Sequence, residues 1–477
     1  DGPGEAARRP AEASVVAAAV WAGWRLRALR LEAWAALASP GGMRRGGGSR
    51  PFVARTDFDK RVILSGFERR GWQRAGEEDE PQDWDLYWAS VGTVRQIFNP
   101  ETGVRLAEHQ LINHFPNHYE LTRKDLLARN IRRYRKEREK FQQPDEASGA
   151  AGAHAGPPGG GSGAGRAGAG GALEDDYLPP DWVPTTFALP TDYAIFVEEF
   201  RRNPNHVWIA KPTGKAQGRG IFLVSKLQQL RKWSGGSQKA AQSSGEQIPV
   251  FREPYIVSRY INDPLLVGGK KFDMRLYVLV TSFRPLKVYL YRAGFCRFCT
   301  EQYTSDVAEF DNVFVHLTNV AIQKTGEDYN DSHGGKWSVD DLMLYVEGTR
   351  GRAARDKLVS DMEAIIVHSL KAAQVIMIND KHCFEMYGFD ILVDSSLKPW
   401  LLEVNASPSL STTTAEDRIL KLRLILDVLN LVVPPGRPPG SAVDDTQEVL
   451  GNFDLIYQER ARGVASASRR SASAGWR

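Results

Sequence analysis

The chain has 477 residues, 42% hydrophobic and 25% charged, which excludes a disordered or membrane-embedded composition and suits one large domain or two to three ordinary ones. A formal net charge of +4 is too small to argue for a polyanionic partner by itself, and three cysteines (Cys296, Cys299, Cys383) cannot build a disulfide framework, so a reducing compartment is expected. No apolar run reaches the roughly 20 residues that a membrane-spanning helix needs.

Taken in chain order, residues 1–42 hold a short apolar run followed by arginines, a pattern compatible with a signal or transit peptide. With the first methionine at Met43, the stretch reads better as a non-native or disordered extension reaching residue 55, outside the fold. "FDKRVILSGFERRGW" carries apolar residues at helical spacing, and "DWDLYWASVGTVRQIF" reads as a strand followed by a short helix. "HFPNH" places His114 four residues before His118, but Pro116 argues against the helix that a zinc pair at that spacing requires. The stretch "TRKDLLARNIRRYRKEREK" reads as a helix with an apolar stripe at Leu127, Ile131, Tyr134 and Phe141. Beside the stripe runs a basic face at Arg129, Arg132, Arg133, Lys136 and Lys140. That face is either a solvated surface or a landing site for a polyanion; without interleaved aromatics, nucleic acid is the poorer match.

A glycine- and alanine-rich segment within 142–174 can bury almost nothing and is expected to be a flexible insert between an N-terminal domain (56–141) and a central one (175–265). "VWIAKPTGKAQGRGIFLVSK" places two β-rich runs around a loop containing Gly214, Gly218 and Gly220. A strand rather than a helix follows these glycines, so neither a Walker nor a Rossmann loop fits. A strand–loop–strand can still lay backbone N–H groups over phosphates, with Lys211 and Lys215 adding charge, or be an ordinary hairpin. In "KKFDMRLYVLV" strand alternation puts Lys271, Asp273 and Arg275 on one face, either a solvated edge or the wall of a polar cleft. "CRFC" has the spacing of redox and zinc motifs but lies in an expected strand with only one further cysteine in the chain. "VFVHLTNVAIQK" is expected to be a strand ending in Thr318 and Asn319, with Lys324 within reach.

"YGFDILVDSSLKPWLLEVN" reads as a hairpin turning between Ser396 and Leu397, so that Asp390 faces Glu403, Ile391 faces Leu402 and Leu392 faces Leu401. One face would then be apolar (Phe389, Ile391, Val393, Trp400, Leu402, Val404), while Asp390, Glu403 and Asn405 cluster at one end of the other. Opposed carboxylates repel unless a proton or cation lies between them, and hard oxygen ligands without His or Cys suit Mg²⁺. The other reading is a surface hairpin with solvated carboxylates. The C-terminal domain is expected over 266–433, followed by a mostly disordered tail at 434–477.

Together "NHFPNHYELTRKDLL", "GGKKFDMRLYVLV", "FVHLTNVAIQK", "GEDYNDSHGGKW" and "LLEVNASPSL" resemble the tubulin tyrosine ligase-like family, closest to the catalytic subunits of tubulin polyglutamylase complexes. The resemblance implies an α+β, ATP-grasp fold with ATP held between the central and C-terminal domains. Lys124, Lys211 and Lys271 would touch the ATP phosphates, covered by the loop at Gln217 and Gly218. Ser258, Arg259, Tyr260 and Ile261 would form the hinge that reads adenine, and Asp273, Thr318 and Asn319 would help hold the nucleotide. Asp390, Glu403 and Asn405 match the Mg²⁺ ligands, Arg275 and Glu403 the catalytic positions, and Arg297, Lys324 and Lys421 the positions that hold the incoming amino acid. Arg219 stands where relatives often carry lysine.

The implied activity is ATP-dependent addition of free L-glutamate to glutamate side chains of acidic C-terminal tubulin tails on microtubules, through an acyl phosphate. Non-catalytic complex subunits are implied, and nucleic acid is not. The location implied is cytoplasmic and cytoskeletal, at the ciliary basal body and axoneme. The alternatives are a ligase of the same fold adding glycine or tyrosine, and a catalytically silent microtubule-binding subunit.

Overall fold

The computed structural model describes residues 50–76, 82–142, 181–233, 253–327, 329, 335–435 and 449–459. The glycine- and alanine-rich segment and most of both expected terminal extensions lie outside the described residues.

The first sheet is parallel: β1 (Val53–Thr56), β2 (Gln73–Arg74), β3 (Leu86–Trp88) and β4 (Leu111–Ile112) run in the order β2-β1-β3-β4. Parallel neighbours need crossovers. The helix Arg61–Arg69 is one, burying Val62, Ile63, Gly66 and Phe67, and the helix Val91–Ile97, capped by the Ser90 hydroxyl, follows β3 as expected. Order begins earlier than the expected boundary at 56. The buried Asp85 carboxylate accepts from the Val53 backbone N–H (2.7 Å) and pairs with Arg50 (2.6 Å), so residues 50–55 are held by a group that would otherwise be stranded.

The second sheet is antiparallel, β5 (Thr186–Leu189), β6 (Trp208–Pro212), β7 (Phe222–Val224) and β8 (Tyr255–Arg259), in the order β5-β8-β6-β7. The helix Tyr193–Arg202 packs on it, with Phe196 edge-on to Trp208 at 5.2 Å.

The third sheet has nine strands built around β10 (Lys270–Phe283). Its other members are β9 (Leu266–Val267), β11 (Leu286–Tyr291), β12 (Phe295–Phe298), β13 (Lys336–Ser338), β14 (Glu385–Val393), β15 (Pro399–Asn405), β16 (Val449–Leu450) and β17 (Phe453–Gln458). β14 pairs with both β10 and β15, and the helix Arg352–Gln374 buries its apolar residues against this sheet. Within the tail expected to be mostly disordered, β16 and β17 are strands. β17 pairs with β11 and buries Phe453 completely, an apolar face that the polar surroundings of the segment masked.

Two further expectations are corrected. "VFVHLTNVAIQK" is not a strand: it forms two single-turn helices, Val313–His316 and Val320–Gln323, around an extended Leu317–Asn319. The Asn312 side chain accepts from the Phe314 N–H and starts the first turn, a local hydrogen bond that competes with strand pairing. The hairpin turns half a residue earlier than read. Asp394 N bonds Lys398 O (3.0 Å), Leu397 takes a left-handed φ of 68°, and the Asp394 carboxylate accepts from Ser396 N and Lys398 N. A bulge at Leu402 then restores the register, so Asp390 faces Glu403 as read, whereas Ile391 faces Leu401 and Leu392 faces Trp400. Leu401 therefore joins Phe389, Ile391, Val393 and Val404 in the core, and Trp400 and Leu402 pack instead with Leu392 and Ile261.

Candidate active site

A cleft of about 620 Å³ gathers all nineteen residues singled out in the sequence as candidate site positions, drawn from β6, β8, β10, β12, β14, β15, the segments between, and the helices Lys124–Gln142 and Ala415–Val432. Its lining holds eleven lysine and arginine side chains against three carboxylates, Asp273, Asp390 and Glu403. An excess of that size in one recess suits an anionic ligand of several charges.

The floor is a row of directly opposed charged residues crossing four strands. Arg297 on β12 faces Asp273 on β10, while Arg275 on β10 faces Asp390 on β14, which faces Glu403 on β15. Opposed residues share a face, so the row is set by register. Arg297 grips Asp273 through Nε (2.7 Å) and Nη2 (2.5 Å) and reaches Asp390 at 2.9 Å. Arg275 holds Asp390 through Nε at 2.5 Å and a second nitrogen at 3.2 Å. Lys271, Asp273 and Arg275 are all buried, so the choice between a solvated edge and a cleft wall goes to the wall. Burial alone would raise the Asp390 carboxyl, but Arg275 and Arg297 outweigh it and hold it well below the usual carboxylate range. Burial likewise opposes the charges on both arginines, and their carboxylate partners more than restore them.

At the end of the hairpin, Asn405 Nδ2 lies 3.3 Å from Asp390 Oδ2 and 3.4 Å from Glu403 Oε1, and Lys124 Nζ is 3.2 Å from Glu403 Oε2. Two carboxylates and an amide converging at one point form a donor set for a hard cation, fitting best when a phosphate-bearing ligand supplies further oxygens. Burial lowers the Lys211 and Lys271 ammonium groups, Lys211 being partly restored by Glu403, so both are short of compensating charge and suited to an incoming anion.

Lys271 Nζ donates to Tyr260 Oη (2.8 Å) and His316 O (2.9 Å) and lies 4.3 Å from the centre of the Tyr260 ring. With that oxygen accepting from Lys271, Tyr260 donates to His316 Nδ1 (2.9 Å), and His316 Nε2 donates to Glu309 O (3.1 Å). Burial, then Lys271, pushes His316 down to about 4, in keeping with the neutral ring this chain of bonds needs.

The β6–β7 loop forms one lip. Gln217, Gly218 and Gly220 have φ of 62°, 78° and 74°. A Cβ on Gly218 would overlap Ile322 Cδ1 and lie 2.9 Å from Asn319 Oδ1, so the loop rests directly on the Thr318–Asn319 segment.

Two participants escaped the sequence reading, Lys336 on β13 and Asp417 on the helix Ala415–Val432. Lys336 lines the cleft beside the expected Lys421, and the two share the buried Asp417, at 3.2 and 2.9 Å. The four-residue spacing of Asp417 and Lys421 was a usable signal. Nothing local marks Lys336. The basic helix Lys124–Gln142 opens at the cleft with Lys124, but several of its arginines serve the fold. Arg132 donates to Thr186 O (2.7 Å), Arg133 to Ala372 O (3.0 Å), and Arg129 pairs with Glu120 (3.4 Å). Cys296 and Cys299 are buried, and His114 bonds Glu385 (2.7 Å), so the "CRFC" and "HFPNH" spacings form no metal cluster among the described residues.

The profile of the tubulin-tyrosine ligase family matches residues 104–440. The probable alpha-tubulin polyglutamylase Ttll1 of Tetrahymena thermophila is 50% identical over 415 residues, covering 86% of this chain and 94% of its own length. The probable tubulin polyglutamylase TTLL9 of Bos taurus is 38% identical over 415 residues (82% of this chain, 80% of its own), and ttll-9 of Caenorhabditis elegans 40% over 394 residues (82% and 81%).

Proposed function

This chain belongs to the tubulin-tyrosine ligase family, and on that premise we propose that it is an ATP-dependent protein–glutamate ligase that adds glutamate to glutamate side chains of acidic tubulin tails. The observation that carries the reading is the strongly cationic cleft: ATP, free glutamate and an acidic acceptor are all anions, and one recess offers eleven cationic side chains. We read the two antiparallel sheets around it as an ATP-grasp arrangement, with the central and C-terminal domains meeting near residue 265.

The roles divide by position. Lys124, Lys211 and Lys271 meet the phosphates, and Gln217 with Gly218 lies over them. Ser258, Arg259, Tyr260 and Ile261 line the adenine end, while Asp273, Thr318 and Asn319 hold the nucleotide's polar groups. Asp390, Glu403 and Asn405 would hold Mg²⁺, which would supply neutralisation of phosphate charge when bound. The acceptor carboxylate attacks the γ-phosphorus, releasing ADP and leaving an acyl phosphate. The amine of glutamate then attacks the acyl carbon, an amide C–N bond forms, and inorganic phosphate leaves. Arg275, pinned by Asp390, offsets charge on the transferred group without reorganising. Arg297, Lys324 and Lys421 hold the carboxylates of free glutamate. No enzyme nucleophile is required.

We place the chain in a complex with non-catalytic subunits, on the microtubule cytoskeleton and at the cilium. No described helix is long and apolar enough to cross a membrane. The test is transfer of labelled glutamate, glycine or tyrosine to tubulin with ATP and Mg²⁺, with and without ciliary partner proteins. Glutamate transfer lost in Glu403→Gln is expected; transfer of another amino acid instead, or undiminished transfer in that variant, overturns the reading.

A further inference from the structure

The helices Arg61–Arg69 and Ala415–Val432 close on each other at Gly66, where a Cβ would stand 3.0 Å from Ile425 and 3.1 Å from Leu429. Beside this contact the pair leaves a groove of about 570 Å³, separate from the active-site cleft. Its walls carry Arg61, Arg69, Arg418 and Arg423 against a single carboxylate, Glu68. Leu64 and Leu422 supply apolar surface among them.

The groove lies one residue along the chain from a cavity that shares a wall with the cleft. Ser411 lines both the cleft and a smaller cavity of about 270 Å³. Lys60 lines that cavity and donates to Ser411 Oγ at 3.2 Å, and Arg61, the next residue, lies in the groove. A polypeptide with one side chain at Glu403 would pass Ser411 and Lys60 to reach the arginines.

We propose that this groove is the docking track for the distal part of the acidic acceptor polypeptide, which rests on the reading of the acceptor as an acidic tail. Guanidinium forks match carboxylates, and apolar surface between them seats the methylenes of glutamate side chains. Exposed ion pairs are individually weak, so the track acts by number and lengthens the acceptor that binds well. It leaves the chemistry at Glu403 untouched.

The test is direct binding of fluorescein-labelled glutamate-rich peptides to the full chain, one of about six residues and one of about eighteen, the longer spanning roughly 60 Å when extended. Arg61→Glu with Arg418→Glu, both exposed positions, should weaken the long peptide roughly tenfold and leave the short one unchanged. Arg61→Gln with Arg418→Gln should fall between. Lys136→Glu with Lys140→Glu, the same charge change on the exposed face of the basic helix, should change neither. Equal loss for both lengths, equal loss in the helix control, or no loss at all overturns the proposal. Because the readout is binding, failure of glutamate transfer is a separate result that refutes the ligase reading alone.

Discussion

Replacing Gly218 by alanine tests whether the β6–β7 loop covers the nucleotide. Two costs are built into the position. A φ of 78° places an L-residue in the left-handed region, about 1–2 kcal/mol above its preferred conformation. The added Cβ also overlaps Ile322 Cδ1 and crowds Asn319 Oδ1 at 2.9 Å. The loop can escape only by lifting off the Thr318–Asn319 segment, so the strain falls on the closed state. ATP affinity, measured calorimetrically, should drop by roughly 10-fold, since about 1.4 kcal/mol is one decade. The melting temperature should barely move, because the loop buries little. Shortening the obstructing side chain by Ile322→Val in the same protein removes the overlap but not the backbone strain, so about half of the lost affinity should return. Wild-type ATP affinity in Gly218→Ala, or no recovery in the double variant, would refute this account of the lip.

Asp390→Asn strands the buried Arg275 and should cost about 3–5 kcal/mol in denaturant unfolding as well as transfer; a fully stable variant would contradict the pairing. Because the folded Asp390 carboxyl lies below its unfolded value, its contribution is intact above the ordinary carboxylate range and fades only as pH falls below about 4, so wild-type stability attributable to it should be flat from pH 7 to 5. His316 runs differently in its window: the unfolded ring takes up a proton near 6.5 and the folded one only near about 4, so stability should decline as pH falls between those values, and His316→Gln should flatten that slope in thermal melts. Burial pushes Cys299 up to about 12 and raises Cys296 and Cys383 well above the ordinary thiol range, so iodoacetamide should label no cysteine in the folded protein and all three after unfolding, as read by mass spectrometry.

Much of the cleft was legible because its parts are local. The two-residue period of "KKFDMRL" put Lys271, Asp273 and Arg275 on one face, and the hairpin brought Asp390 opposite Glu403. Two of the three glycines of the β6–β7 loop, Gly218 and Gly220, stand at positions of positive φ. Errors arose where a short-range hydrogen bond outbid the pattern. Asn312 turned an apolar run into a helical turn, and the Asp394 turn with its Leu402 bulge moved Trp400 and Leu402 off the core face. The missed tail strand shows the opposite failure, since β17 joins the large sheet by pairing with β11, more than 150 residues earlier.

The sequence by itself determined the alternating face of β10 and the opposed carboxylates of the β14–β15 hairpin, because each depends on neighbours within a few residues, where periodicity and turn chemistry act. Only the tertiary structure decided that Arg297 bridges Asp273 and Asp390, that Lys336 and Lys421 share Asp417, and that two helices some 350 residues apart close at Gly66 beside an arginine groove. Those contacts are fixed by sheet order and helix packing, which bring together residues whose separation along the chain carries no local signal.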